Sequence, residues 1–116
     1  MVSLFWHDVP YSRGVTPTIT ITDEAREYFE RNPDPALRDL VDRATREYAD
    51  WFKEERLLLD TDEDPDTGRV QVLVVAEVPA ESAESAMERL TEYMRRWLPA
   101  HTREEHRKVG FSVRYV

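Results

Sequence analysis

Cysteine is absent from the chain. This excludes disulfides, iron–sulfur clusters, thiolate zinc sites and a cysteine nucleophile. Glycine is nearly as scarce: Gly14, Gly68 and Gly110 are the only ones and none are clustered, so neither a phosphate-cradling P-loop nor a dinucleotide-binding fingerprint can be written. No G-x-S-x-G occurs either, and Ser82 and Ser85 stand beside Glu81 and Glu84 in the composition of an ordinary helix start. Long apolar runs are missing. Stretches such as Val72 to Ala76 reach about a quarter of the roughly 20 residues a membrane helix needs, so no membrane span is expected. Met1 to Asp8 shows neither a basic start nor a long apolar region, so no cleaved secretory signal is expected and the cytoplasm is the expected location. Lysine is limited to Lys53 and Lys108, and arginine carries the remaining basic charge.

The chain has 116 residues, 24 acidic and 16 basic, with a formal net charge of −8. That is one domain's length, read as a single unit over 1–116 with residues 1–15 as an arm or edge strand and 16–116 as the core. At this size folding buries roughly 65% of the unfolded surface, enough for a core without metal or disulfide staples. Met1 to Gly68 carries a net −9 and Arg69 to Val116 a net +1. An acidic field disfavours phosphate backbones, so no nucleic-acid partner is expected. RRM-type RNA binding needs aromatics on the central strands, where this chain has Leu73 and Val75 beside Gln71 and Glu77. Arg95, Arg96, Arg103, Arg107 and Lys108 form one basic cluster, read first as charge at a helix end and in a loop, and second as a docking patch for an anion.

Thr18-Ile19-Thr20-Ile21-Thr22 alternates at period 2 and reads as a strand. Thr22, Asp23 and Glu24 suit a helix N-terminus, and Asn32 to Pro35 interrupts the helix that follows. Asp34 as cap and Pro35 at the first helical position restart a second helix, whose Leu37, Leu40, Val41, Ala44, Tyr48, Trp51 and Phe52 make an amphipathic stripe. Arg56 to Asp60 and Arg69 to Val78 read as a β-hairpin around an acidic loop, with Gly68 suited to a positive φ. Ala83 to Leu98 reads as a third helix ended by Pro99, Ala100 to Lys108 as a polar loop, and Val109 to Tyr115 as a last strand. The order β-α-β-β-α-β points to a ferredoxin-like α+β fold: a four-stranded antiparallel sheet with helices on one face, preceded by the arm.

The strand from Arg69 to Val78 departs from that plan. Val70, Val72, Val74, Ala76 and Val78 make one apolar face, but Leu73 and Val75 make the other face apolar too. Leaving both exposed forgoes roughly 3–6 kcal/mol. The cover is expected from the arm, where Phe5 and Trp6 lie among Leu4, Val9 and Tyr11, from a second subunit, or from another partner or apolar ligand. Phe5, Trp6, Leu73 and Val75 are therefore the interface candidates.

Asp60, Asp62, Asp64 and Asp66 alternate as in the first half of a calcium loop, but Pro65 and Gln71 stand where an EF-hand needs glycine and glutamate, so a solvated hairpin tip is expected. His101 and His106 are five apart, which fits neither H-E-x-x-H nor H-x-x-E-H. His7 and Asp8 are adjacent and point apart in an extended arm. No catalytic residue, metal site or cofactor is assigned. Ile19 to Glu30, I-T-I-T-D-E-A-R-E-Y-F-E, is similar to the opening of A-type iron–sulfur carriers, but those carriers use downstream cysteines and this chain has none, so no cluster chemistry and no family follow.

The expected function is therefore a small acidic, non-catalytic protein-interaction domain that is a homodimer or binds another protein through a sheet face. The alternative is a cofactor-free small-molecule-binding domain or enzyme of the dimeric α+β-barrel type, with Leu73 and Val75 lining a cavity and Thr18, Thr20, Ser112 or Arg114 as its polar groups.

Overall fold

The structure is a computed structural model that describes residues 18–52 and 56–116. The expectations placed on the arm, including Phe5, Trp6 and His7, lie outside the described residues. Strand β1 covers Thr18–Ile21, helix α1 Asp23–Arg31, α2 Pro35–Phe52, β2 Arg56–Glu63, β3 Val70–Val78, α3 Ala83–Ala100, α4 Arg103–Lys108 and β4 Val109–Tyr115, with a 3-10 turn at Ala80–Ser82.

Local chemistry sets these boundaries. Thr22 caps α1 by accepting from the Ala25 N–H at 3.1 Å, and the Asp34 carboxylate accepts from the Ala36 N–H at 3.0 Å where α2 begins. At the hairpin tip the Gly68 N–H donates to the Asp64 carbonyl at 2.8 Å, and Gly68 adopts φ 72°, a conformation costly for any residue with a Cβ. Three boundaries differ from expectation: β2 runs on past Asp60 to Glu63, because Thr61, Asp62 and Glu63 continue the ladder opposite Val72, Gln71 and Val70. Pro99 lies inside the last turn of α3 instead of beyond it, and the polar segment expected as a loop contains α4. Thr102 and Glu105 form a reciprocal capping box there, which satisfies two helix N-terminal donors in a segment with no apolar stripe.

The fold is α+β with a four-stranded sheet and helices, but it is neither ferredoxin-like nor all antiparallel. Strand order is β1-β2-β3-β4: β1 and β2 are parallel, β2 and β3 form the antiparallel hairpin, and β3 and β4 are parallel. The element order along the chain is shared by both arrangements, and what separates them is which strands pair. The difference has a chiral consequence. Helices α1, α2 and α3 contribute to one core on one face, with Phe29, Leu40, Val41, Tyr48, Phe52, Ala86 and Trp97 packed against Ile19, Leu57, Leu59, Val72, Val74 and Val109. Both crossovers step the same way across the sheet while their strands run in opposite directions, so with helices on one face the two turn with opposite hands. One of them is therefore left-handed, against the strong right-handed preference that the split ferredoxin-like order satisfies twice. That order is also the one from which dimeric α+β barrels are built, so the barrel reading loses its basis in the fold.

Tyr48 joins helices α2 and α3 to the sheet. Its ring is fully buried and meets Phe52 at 4.7 Å, Tyr93 at 5.1 Å and Phe111 at 5.0 Å between centroids, and its hydroxyl donates to the Ser112 carbonyl at 2.6 Å. Burial pushes the Tyr48 phenol well above its ordinary value, and Tyr93 likewise, with the Glu47 charge adding to the effect at Tyr93. Folding thus favours the neutral phenols. Their contribution is fully present below the ordinary phenol value of about 10 and is lost as pH rises past it, because the unfolded chain then releases protons that the folded chain keeps. Tyr48→Phe should lower stability by about 1–2 kcal/mol at neutral pH in urea titration and flatten the fall in stability above about pH 10. An unchanged alkaline slope in the variant would contradict this assignment.

Candidate functional site

Two surfaces are candidates, one on each side of the sheet. The first is the face opposite α1, α2 and α3. Alternation along the strands puts Leu58, Leu73 and Val75 on it, and cross-strand register makes them contiguous: Thr20 is opposite Leu58, Leu58 opposite Val75, and Val75 opposite Ser112. Leu73 lies opposite Gly110, whose missing Cβ leaves room for the Gln71 side chain. A Cβ there would stand 2.7 Å from the Gln71 Oε1, and Gln71 reaches on to donate to the His106 carbonyl at 2.8 Å. The structure thus brings Leu73 and Val75 together as expected, and adds Leu58 from the neighbouring strand. Val75 is 7% exposed, while Leu58 and Leu73 are half-buried. Charge is sorted along this face. Arg56, Glu77 and Arg114 lie at the end where β1 and β2 begin, and Asp60 and Asp62 lie toward the hairpin.

The second surface is a cleft of about 620 Å³ between α2 and α3, lined by Glu47, Asp50, Trp51, Arg89, Tyr93, Arg96, Trp97, Ala100 and His101. The Trp51 indole donates to the Arg89 carbonyl at 3.0 Å and the Arg89 guanidinium donates to the Phe52 carbonyl at 3.2 Å, so the two helices are pinned at one end of it. Arg96 lies 4.5 Å over the Trp51 ring, a cation–π contact. Buried in the same cleft are two donors, the Tyr93 hydroxyl and the Trp97 indole N–H, the latter without an acceptor. The Glu47 carboxylate acts on the Tyr93 phenol without making a hydrogen bond of standard geometry to it.

His101 and His106 converge on one ring, that of Trp97. His101 stacks on Trp97 at 4.2 Å and His106 lies 5.3 Å from the same ring. His101 Nδ1 is 2.9 Å from the Trp97 carbonyl and His106 Nε2 is 2.7 Å from the Leu98 carbonyl, so each imidazole N–H satisfies an acceptor left open at the end of α3. The basic cluster is dispersed: Arg95 pairs with Glu92 at 2.9 Å and Arg96 turns to Trp51. The sequence reading missed the cleft, because Trp51 and Arg96 meet only through the packing of two helices.

The alternating aspartates do not form a cage. Asp60 accepts from Thr22 at 2.9 Å and from the Thr61 N–H at 2.8 Å, and Asp64 accepts from the Asp66 N–H at 2.9 Å. Among the described residues no group of three or more possible ligands is placed to hold a metal ion, and no helix is long and apolar enough to cross a membrane. Comparison with protein-family models, curated proteins and solved structures returns no match.

Replacing Asp62 and Asp64 together by asparagine should change stability by less than about 0.5 kcal/mol, and calcium should leave the melting midpoint of the native chain unchanged. A calcium-dependent rise in that midpoint, abolished in the double variant, would overturn the reading of the loop as a solvated tip.

Proposed function

We propose that the chain is a non-catalytic protein-interaction domain that self-associates through the sheet face bearing Leu58, Leu73 and Val75. The observation that carries this reading is the apolar strip itself. It lies on two central strands of a sheet whose three core helices pack on the other side. Buried central strands are apolar on both faces when both faces are covered.

Charge supports a second copy of the chain as the occupant. A two-fold axis lying across the strands sets the end with Arg56, Glu77 and Arg114 of one copy, net positive, over the Asp60 and Asp62 end of the other, and the same operation repeats the contact in reverse, as an isologous interface requires. The apolar strip then sits at the centre and the charges at the rim, where they set orientation more than affinity.

Leu73→Arg places a cation in this interface twice per dimer. Sedimentation velocity should show a dimer for the native chain and a monomer with native far-UV circular dichroism for the variant, with dimer affinity reduced about a hundredfold or more. Leu58→Gln, a milder change in the same strip, should weaken the dimer without unfolding the chain. A native chain that sediments as a monomer, or a variant dimer as tight as the native one, would refute the proposal.

A further inference from the structure

The cleft between α2 and α3 lies on the helical side and is independent of the sheet-face reading. Its volume of about 620 Å³ falls within the usual range for small-ligand sites. Its walls are of opposite charge: α2 contributes Glu47 and Asp50, and α3 contributes Arg89 and Arg96. The ion pairs of Arg26, Arg31, Arg43, Arg46 and Arg95 are each local to one helix, joining positions three or four apart, and Glu47, Arg89 and Arg96 belong to none of them. Arg96 instead rests on the Trp51 ring, a position that keeps its N–H groups available to an acceptor in the plane of the guanidinium.

The floor supplies an independent indication. Tyr93 and Trp97 are 5% and 3% exposed; the Tyr93 hydroxyl faces the Glu47 carboxylate, and the Trp97 indole N–H has no acceptor. Leaving a buried donor unpaired costs free energy that an incoming acceptor recovers. Donors thus outnumber acceptors on the α3 side, carboxylates stand on the α2 side, and aromatic faces from Trp51 and the stacked Trp97–His101 pair lie between them.

We infer that this cleft binds a small zwitterion carrying an aromatic or similarly planar apolar group, an aromatic amino acid being the simplest member of the class. Its carboxylate accepts from Arg96 and from the buried Trp97 indole N–H. Its ammonium group faces Glu47, and its ring lies against Trp51 or Trp97. Both charges are needed, because a ligand with only one engages Arg96 or Glu47 but not both.

The test is a titration of the native chain followed by the indole N–H resonances of its tryptophans, with L-phenylalanine, phenylacetate and phenethylamine as probes. L-Phenylalanine should shift the Trp51 and Trp97 signals saturably, and the two singly charged probes should bind at least about tenfold more weakly. Arg96→Gln and Glu47→Gln should each weaken L-phenylalanine by a similar factor while the unfolding midpoint stays near that of the native chain. The inference is overturned by the absence of a saturable shift, by phenylacetate or phenethylamine binding as well as the zwitterion, or by Arg96→Gln binding unchanged. None of these outcomes depends on oligomeric state, so the cleft and the sheet face succeed or fail separately.

Discussion

The packing of this protein turns on one side chain, Tyr48. Its ring is the meeting point of α2, α3 and β4, in ring contact with Phe52, Tyr93 and Phe111, and its hydroxyl is tied to the backbone of β4 at Ser112. A buried hydroxyl needs a partner, and the position of Ser112 supplies it only if β4 lies beside β3 in the observed register. The aromatic cluster continues through Tyr93 and Phe111 to Trp97, where the two histidines close the end of α3. The same cluster positions both ends of the cleft. Trp51 touches Tyr93 on one side, and Trp97 carries His101 on the other.

Strand order determines what is left on the opposite side. A ferredoxin-like sheet and this one both place two crossovers on one face, but here each crossover joins adjacent strands, so the hairpin of β2 and β3 forms the centre of the sheet. Strand β3 is central in either order; what the observed order changes is β2, which gains β1 as a second neighbour, so Leu58 also lies on a central strand of the face away from the helices. Leu73 and Val75 gain Leu58 as a neighbour through the register of that hairpin. The molecule thus has an apolar, charge-rimmed sheet face and, across its core, an aromatic cleft with walls of opposite charge.

Much of this was legible residue by residue. The Thr–Ile alternation of β1, the caps at Thr22 and Asp34, the apolar stripe of α2 and the doubly apolar β3 all carry local signals, and each appears in the structure. What was not legible is pairing. No local feature distinguishes β1 beside β2 from β1 beside β3, because element order and face alternation are the same in both. Helix α4 is a different case: Thr102-Arg103-Glu104-Glu105 is a capping-box pattern, and it carried a helix signal that the lack of an apolar stripe hid. Arg96 and Trp51 belong to the unreadable class, since their contact depends on how α3 lies against α2.

The association of two chains through the Leu58, Leu73 and Val75 face is the central claim, and native mass spectrometry of the unmodified protein addresses it most directly. The account predicts a species at twice the 13.7 kDa chain mass at low micromolar concentration, resistant to raised salt because its centre is apolar. A single-chain mass under the same gentle conditions would contradict it.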